Sequence, residues 1–390
     1  MKIGLVLSKP PGYSETFFNA KIKGLQENGH TVTLFTGPSQ ETYMLCKHVR
    51  SPKVDPFFLF QVLKMCWVGF LLLPHLKAVW TYVKLEKKEG ASIKRILEKV
   101  YLNSQFLKFK GDWLHYGFAT LAIDRELVAE AIDVKMAVSL RGFDINVYPL
   151  KHPGCYTLLW RQVDKVQSIS NYLLEKAFKL GLPQNSSYQI ITPAVNMEFL
   201  PSIHLDRTSN VFKITTIARF NWMKGIHYII EVASYLKKAN IAFEWQLIGS
   251  GHDFEWEHYL YLIHENHLEN QVILTGACSH AETLNYLTTS DIYVQTSLNE
   301  GFCNAVLEAQ AIGIPAIAFH VGGLPENILD TKTGWLIKPF EVESMAKRII
   351  AYFNLTLVEK EKISKQAKER VKNHFNLQRQ KQKFQEFYTR

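Results

Sequence analysis

The chain reads as an α/β protein made of two doubly wound halves, each a parallel sheet covered by helices. Three observations predict this. Short apolar runs alternate with helix-length amphipathic segments, the pattern of parallel strands joined by crossover helices. The alternation fills the first half and starts again at Phe212. The length of 390 residues exceeds one ordinary core and suits two.

In the first half, Ile3–Leu7 reads as a strand, 8–13 as a loop, and a helix follows from about Ser14. Gly29 is its stop signal, and Thr31–Phe35 is the next strand. Asp112–His115, Met136–Leu140, Lys165–Ser168 and Ile190–Thr192 are further short strands, and Asn171–Leu180 is a helix closed by Gly181 and Pro183. Pro193–Asn210, with Pro193 and Pro201, interrupts the periodicity and reads as a linker. In the second half, Phe212–Ala218, Trp245–Ile248, Val272–Leu274, Ile292–Thr296 and Ala316–Phe319 are strands, and a helix spans about Gly225 to Lys238. The expected divisions are residues 1–200, 201–373, and a basic tail helix 374–390 that packs back on the first domain through Phe375, Phe384 and Phe387. Ligands of such sheets bind at the carboxyl ends of the strands, so two domains facing each other would hold one ligand in a central cleft.

Five cysteines, at 46, 66, 155, 278 and 303, are scattered and odd in number. This argues for reduced thiols in a cytoplasmic setting. Met1–Leu7 is too short an apolar run for a secretion signal and reads as the first strand. The net charge of +9 is concentrated: residues 47–110 hold 13 basic and 4 acidic side chains, a surplus of nine. That patch calls for an anionic partner. It contains the apolar run Pro56–Leu76, interrupted by Gln61, Lys64 and Pro74. These interruptions disfavour a membrane span. Two readings stay open: a helix pair buried against the first domain, or an interfacial element with its aromatics in the headgroup layer and Lys77, Lys84, Lys87, Lys88, Lys94 and Arg95 facing anionic lipid.

The chemistry concentrates in Glu300-Gly-Phe-Cys-Asn-Ala-Val-Leu-Glu308, two carboxylates around a glycine at a loop-to-helix junction. A helix from about Asn304 places Asn304 and Glu308 on one face. Its free first amides point back toward Glu300 and Gly301 and favour an anion. The segment therefore suits a substrate that joins sugar to phosphate. Arg219 and Lys224 flank the turn after the second domain's first strand. The fork of an arginine and the point charge of a lysine there can neutralise a diphosphate without metal. No Asp-x-Asp, HExxH or CxxC spacing marks a metal site, and no Gly-x-Gly-x-x-Gly or P-loop marks a dinucleotide oxidoreductase or an ATPase.

The second half resembles the retaining glycosyltransferases of family 4. The likeness rests on Arg219 with Lys224-Gly225, Leu247-Ile-Gly-Ser-Gly251, Glu300 with Glu308, and Gly322-Gly-Leu-Pro-Glu326 followed by Gly334-Trp-Leu336. The first half matches more loosely, through Ser14-Glu-Thr-Phe17, Gly29-His-Thr-Val32, Arg141-Gly-Phe-Asp144 and Ser168-Ile-Ser170. The resemblance implies the GT-B fold, two Rossmann-like domains about a cleft, with the acceptor on the first and a nucleotide-sugar donor on the second. It implies that Arg219 and Lys224 hold the diphosphate and that Glu308 bonds the ribose hydroxyls. Glu300 would sit beside the donor sugar. Gly301, Phe302, Cys303 and Asn304 would offer amides along sugar and phosphate, with Gly249 and Gly276 lining the donor. Catalysis would come from positioning and from charge stabilisation at the departing diphosphate. The usual proposal for retention in the family has a donor phosphate oxygen as base, and for Glu300 a sugar-positioning role ranks above that of covalent nucleophile. Cys303 has no paired base and reads as packing.

Two departures concern the acceptor side. Relatives commonly place a histidine where this chain has Arg141, and a permanently charged guanidinium is no neutral base. Arg141 would instead bind an acidic sugar, a phosphate or the acceptor. Pro10-Pro-Gly-Tyr13 lacks the usual glycine pair, which leaves Gly12 as the close-approach point. Asp144 would orient Arg141 or cap its turn. His115 would line the cleft or serve as a satisfied structural histidine.

The expectation is a metal-independent, cofactor-free glycosyltransferase acting on a glycan or lipid-linked acceptor in cell-surface polysaccharide or lipopolysaccharide assembly. It would be peripheral at the cytoplasmic face of the membrane, docked on anionic lipid through residues 47–110, with no nucleic-acid partner. The alternatives are a soluble glycosyltransferase for a small acceptor and an inactive nucleotide-sugar-binding scaffold.

Overall fold

The computed structural model describes residues 1–12, 16–201 and 211–389. It divides into two compact units, Met1–Ile191 with Lys381–Arg390, and Thr192–Gln380. The divisions expected at 200/201 and 373/374 stand beside these at 191/192 and 380/381.

The first unit holds seven strands: β1 (Lys2–Val6), β2 (Thr31–Thr36), β3 (Lys47–Arg50), β4 (Trp113–Tyr116), β5 (Lys135–Leu140), β6 (Lys165–Ser168) and β7 (Tyr188–Ile190). Their order is β3-β2-β1-β4-β5-β6-β7, and the paired neighbours run parallel. The second unit holds six: β8 (Phe212–Ile217), β9 (Phe243–Ile248), β10 (Val272–Gly276), β11 (Ile292–Gln295), β12 (Ala316–Phe319) and β13 (Gly334–Ile337). Their order is β10-β9-β8-β11-β12-β13, again parallel. Each sheet therefore reverses its winding once, between β1 and β4 and between β8 and β11. At such a point the two following loops diverge and leave a crevice at the carboxyl edge.

Sheets covered on both faces explain the continuous apolar runs that marked the strands. Ile3, Leu5, Phe18, Ile22, Leu34 and Phe387 share the first core, and Ile214, Ile229, Trp245, Leu247, Val294 and Ile317 share the second. The helix expected from Ser14 is observed over Thr16–Glu27; Ser14 and Glu15 lie outside the described residues, as does 202–210 of the linker. The last strand of the first sheet lies two residues earlier than expected, at Tyr188–Ile190. Sequence reading missed β3, because Lys-His-Val-Arg has no apolar run and sits at a sheet edge.

The tail forms two helices, Leu357–His374 and Leu377–Thr389. Phe375 packs 5.7 Å from Phe302 in the second unit, whereas Phe384, Phe387 and Tyr388 enter the first unit's core.

The run Pro56–Leu76 is no buried pair. Its helix Phe58–Leu71 contains no buried residue. Phe58, Leu59 and Trp67 are 83%, 68% and 62% exposed. Pro74 sits in a single 3-10 turn at Leu73–His75, and the chain bends 57° into the helix Leu76–Lys88. Among the described residues no single helix is long and apolar enough to cross a membrane, although this bent pair passes by length and composition.

Candidate active site

In the second unit the residues of interest lie on the two loops that leave the β8/β11 switch point. The loop after β8 is zipped to the loop after β9. The Ala218 amide donates to the Ile248 carbonyl at 3.0 Å, and the Phe220 amide to Ser250 at 2.8 Å. This backbone contact explains two glycines. A Cβ on Gly249, where φ is 142°, would lie 1.8 Å from the Ala218 oxygen, and one on Gly251 would lie 2.4 Å from that of Phe220. Gly249 also donates its amide to the Gly276 carbonyl at 2.9 Å. Gly249 and Gly276 thus brace neighbouring loops.

The β8 loop is stitched just as closely to the β11 loop. Gly225 is left-handed, with φ 60°, and a Cβ there would lie 2.3 Å from the Thr296 oxygen. Thr296 Oγ1 donates to the carbonyls of Gly225 at 3.0 Å and Lys224 at 3.2 Å, and the Leu298 amide donates to Met223 at 2.8 Å. These contacts bring Lys224 Nζ to 2.5 Å from Glu300 Oε1. The same oxygen accepts from Ser297 Oγ at 2.8 Å. Behind Ser297, Gln295 Nε2 donates to its hydroxyl at 2.7 Å, and the buried Tyr293 hydroxyl donates to Gln295 Oε1 at 2.6 Å. A polar chain therefore runs from the sheet to Glu300 and fixes its carboxylate. Burial opposes the charge on Lys224, but the Glu300 carboxylate outweighs it and holds the lysine's pKa above its ordinary value. The lysine stays charged.

A third loop supports Glu300 from below. Gly322, with φ 56°, and Gly323 lie backbone to backbone against it: added Cβ atoms would fall 2.1 Å from the Glu300 oxygen and 2.3 Å from that of Gly301. Asn327 grips the residue before the helix Asn304–Ile312 at two points, accepting from the Cys303 amide and donating to the Cys303 carbonyl, each at 3.0 Å. Arg370 in turn donates to the carbonyls of Asn327 and Glu326, each at 2.9 Å. No side-chain hydrogen bond caps that helix. Asn304 is exposed at its start, and Glu308 stands one turn on, its Oε1 2.9 Å from His280 Nε2. That hydrogen bond raises the His280 pKa. Phe302 and Cys303 are buried side chains, so only their backbones can serve a ligand. Burial pushes the Cys303 thiol up to about 12, which leaves it inert. Arg219 is exposed.

The structure thus joins Lys224 to Glu300 and pairs Glu308 with His280. Sequence reading missed Ser297, Gln295, Asn327 and His280. Only Asn327, directly after Gly322-Gly-Leu-Pro-Glu326, carried a local signal.

The candidates of the first unit are placed differently. Arg141 lies over aromatic rings, its Cζ 3.9 Å from the Phe17 centroid and 4.9 Å from that of Phe18, and its Nε donates to the Gly117 carbonyl at 3.2 Å. Asp144 is fully buried and turned to another loop, accepting from Thr120 Oγ1 at 2.8 Å and from the Ala119 amide at 3.2 Å. Burial lifts its pKa to about 6. His115 lines no surface: it is 0% exposed, with Tyr388 OH 2.6 Å from Nδ1 and Ser139 Oγ 2.8 Å from Nε2. Gly12 is exposed with nothing within 4 Å of an added Cβ, so the protein itself makes no close approach there.

Comparison with known proteins bears on this geometry. The family model described as glycosyl transferases group 1 matches residues 204–370, most of the second unit. A protein of Escherichia coli strain K12, named for colanic acid biosynthesis glycosyltransferase activity, is 27% identical over 97% of both chains. An amylovoran biosynthesis glycosyltransferase of Erwinia amylovora is 26% identical over 66% of this chain and 65% of its own. Among solved structures, a sucrose-phosphate synthase of Thermosynechococcus elongatus superposes with a TM-score of 0.76 at 17% identity, covering 100% of this chain and 98% of its own. An Anabaena protein solved with UDP and glucose gives 0.70 at 16% identity, covering 99% and 98%. With its two parallel sheets the chain has the GT-B fold, and it is a glycosyltransferase whose second unit is similar to the group 1 glycosyl transferases.

Proposed function

We propose that this glycosyltransferase takes its sugar from a nucleoside-diphosphate donor and transfers it, with retention and without metal, to a glycan or lipid-linked acceptor in bacterial cell-surface polysaccharide assembly. One observation carries the donor side: the Lys224–Glu300 pair, held rigidly at the β8/β11 switch point with the exposed Arg219 on the same loop. Lys224 has further N–H groups to offer the diphosphate while Glu300 fixes its position. Arg219 adds a forked donor. Two cations waiting where negative charge develops supply stabilisation that water would have to reorganise to give. This is the support for the metal-free reading. Glu308 takes the ribose hydroxyls, oriented by His280, and Glu300 sits at the sugar. The acceptor attacks the anomeric carbon on the face of the departing diphosphate, whose own oxygen receives the acceptor's proton. The polysaccharide setting follows the names of the Escherichia coli and Erwinia relatives.

We place the enzyme at the inner membrane surface. The unburied helix Phe58–Leu71 lies within the cationic stretch 47–110, and apolar surface beside positive charge fits anionic lipid.

Thermal denaturation with a panel of nucleotide sugars tests the donor reading. A ligand of the native state raises the melting temperature. The donor is expected to shift wild type and to shift Lys224→Ala far less. No shift with any member, in a folded protein, would refute donor binding.

A further inference from the structure

The first unit carries a cavity lined by none of the residues assigned to sugar transfer. In the register of the sheet, Lys2 stands beside Thr31 and Thr33 beside Lys47. Alternate residues share a face, so Thr31, Thr33 and Lys47 polarise a face that a covered parallel sheet makes apolar. Over it the structure opens a cavity of about 640 Å³, in the range of small-molecule sites.

Its chemistry is one-sided. Lys2, Lys47, Arg50, Lys108 and Lys110 line it, and no acidic side chain does. Among the described residues no carboxylate side chain pairs with any of the five, although Asp112 lies close by and accepts the Lys2 backbone amide. Gln105 also lines the cavity. It is 7% exposed, yet neither its amide nitrogen nor its amide oxygen has a hydrogen-bond partner among the described residues. Buried amides are normally satisfied, so Gln105 brings both an unused donor and an unused acceptor to the cavity wall. A phosphate accepts from the cations and from Gln105 Nε2, and a neighbouring hydroxyl donates to Gln105 Oε1. Phosphoglycerol has both groups.

Val68 of the helix Phe58–Leu71 forms part of the wall. The rest of that helix presents Phe58, Leu59, Phe60 and Trp67 outward. The lining runs along β2 and β3, from Thr31 and Lys47 to Phe35 and Arg50, and does not include Arg141. We propose that this cavity binds the phosphoglycerol headgroup of an anionic lipid whose acyl chains run along the exposed helix, making it an anchoring site and not an acceptor site. The proposal rests on the membrane-surface reading above.

The test measures co-sedimentation of the full chain with vesicles of phosphatidylcholine alone or mixed with phosphatidylglycerol, and calorimetry with soluble glycerol phosphate. Wild type is expected to bind only the phosphatidylglycerol vesicles. Lys47→Glu with Lys108→Glu should weaken this about tenfold or more. Gln105→Leu leaves the charge unchanged and should weaken it about threefold. Donor turnover should be untouched in both, which also certifies folding; Lys47→Gln with Lys108→Gln replaces the first variant if it misfolds. Wild-type binding of both pocket variants, with loss only in Phe58→Ser with Trp67→Ser, would overturn the headgroup site and leave the membrane reading standing. Tight binding of soluble glycerol phosphate without vesicle preference would assign the cavity to a free phosphate and overturn the lipid. Failure of wild type to bind any vesicle would overturn both.

Discussion

The two units share one architecture and differ in what they place at its carboxyl edge. At the β8/β11 switch point, three loops lie in backbone contact and hold a salt bridge, Lys224 with Glu300. In the first unit, the cations near the β1/β4 switch point have different surroundings. Arg141 rests on Phe17 and Phe18, and Asp144 turns away to Thr120. Lys21 is buried 3.2 Å from His115 Nδ1, and burial followed by the charge of Arg141 drives its pKa far down. The same winding thus supports a rigid charged site in one unit and an aromatic-backed arginine in the other. The lesson is that topology sets where a site can be, while loop contacts set how firmly its charges are held.

The largest expected effect breaks the charged side of this comparison. Lys224→Ala should lower donor turnover by about 10³-fold with the fold retained, as for a lost donor at a developing charge. Arg141→Lys should leave donor KM unchanged and raise acceptor KM about tenfold, because a lysine loses the planar stacking. Steady-state kinetics with both substrates separate the two, and equal loss in both variants would erase the proposed division of labour.

A second contrast concerns loop packing. Gly249→Ala drives a Cβ into the Ala218 carbonyl and should destabilise by about 3 kcal/mol, whereas Gly12→Ala should stay within about 0.5 kcal/mol. Denaturant melts of the two variants decide it; a neutral Gly249→Ala would disprove the backbone zipper.

The smallest effect is the pH dependence at Glu308. The hydrogen bond from Glu308 raises the His280 pKa in the folded protein. The stability it contributes is therefore full below the unfolded histidine pKa, near 6.5, and is lost as pH rises through the raised folded value. His280→Ala should lower the melting temperature slightly near pH 6 and not at pH 9, since the histidine is largely exposed. An equal change at both would show that the charge is irrelevant.

Much of the site was legible because its identity lies in short loops after strands. Arg219, Lys224, Glu300 and Glu308 could be named from spacing and resemblance. What anchors them could not. Ser297 and Gln295 look like ordinary strand-end polar residues until the fold lines them up behind Glu300. Gly249 drew attention as a ligand-side glycine, yet its φ of 142° and its contact with Ala218 give it a bracing task. His115 lay at the end of an expected strand, and only the C-terminal helix, through Phe387 and Tyr388, shows how deeply it is covered.

By itself the amino-acid order determined the doubly wound pattern, the carboxylates flanking Gly301 and the positive stretch 47–110, since each is local along the chain. Tertiary structure alone decided that residues 76 positions apart, Lys224 and Glu300, become partners. It also decided that the apolar run at 56–76 stands unburied and that a polar sheet face opens into a cationic cavity. The physical reason is that periodicity is written in neighbouring residues, whereas pairing and burial depend on segments the chain brings together only when it folds.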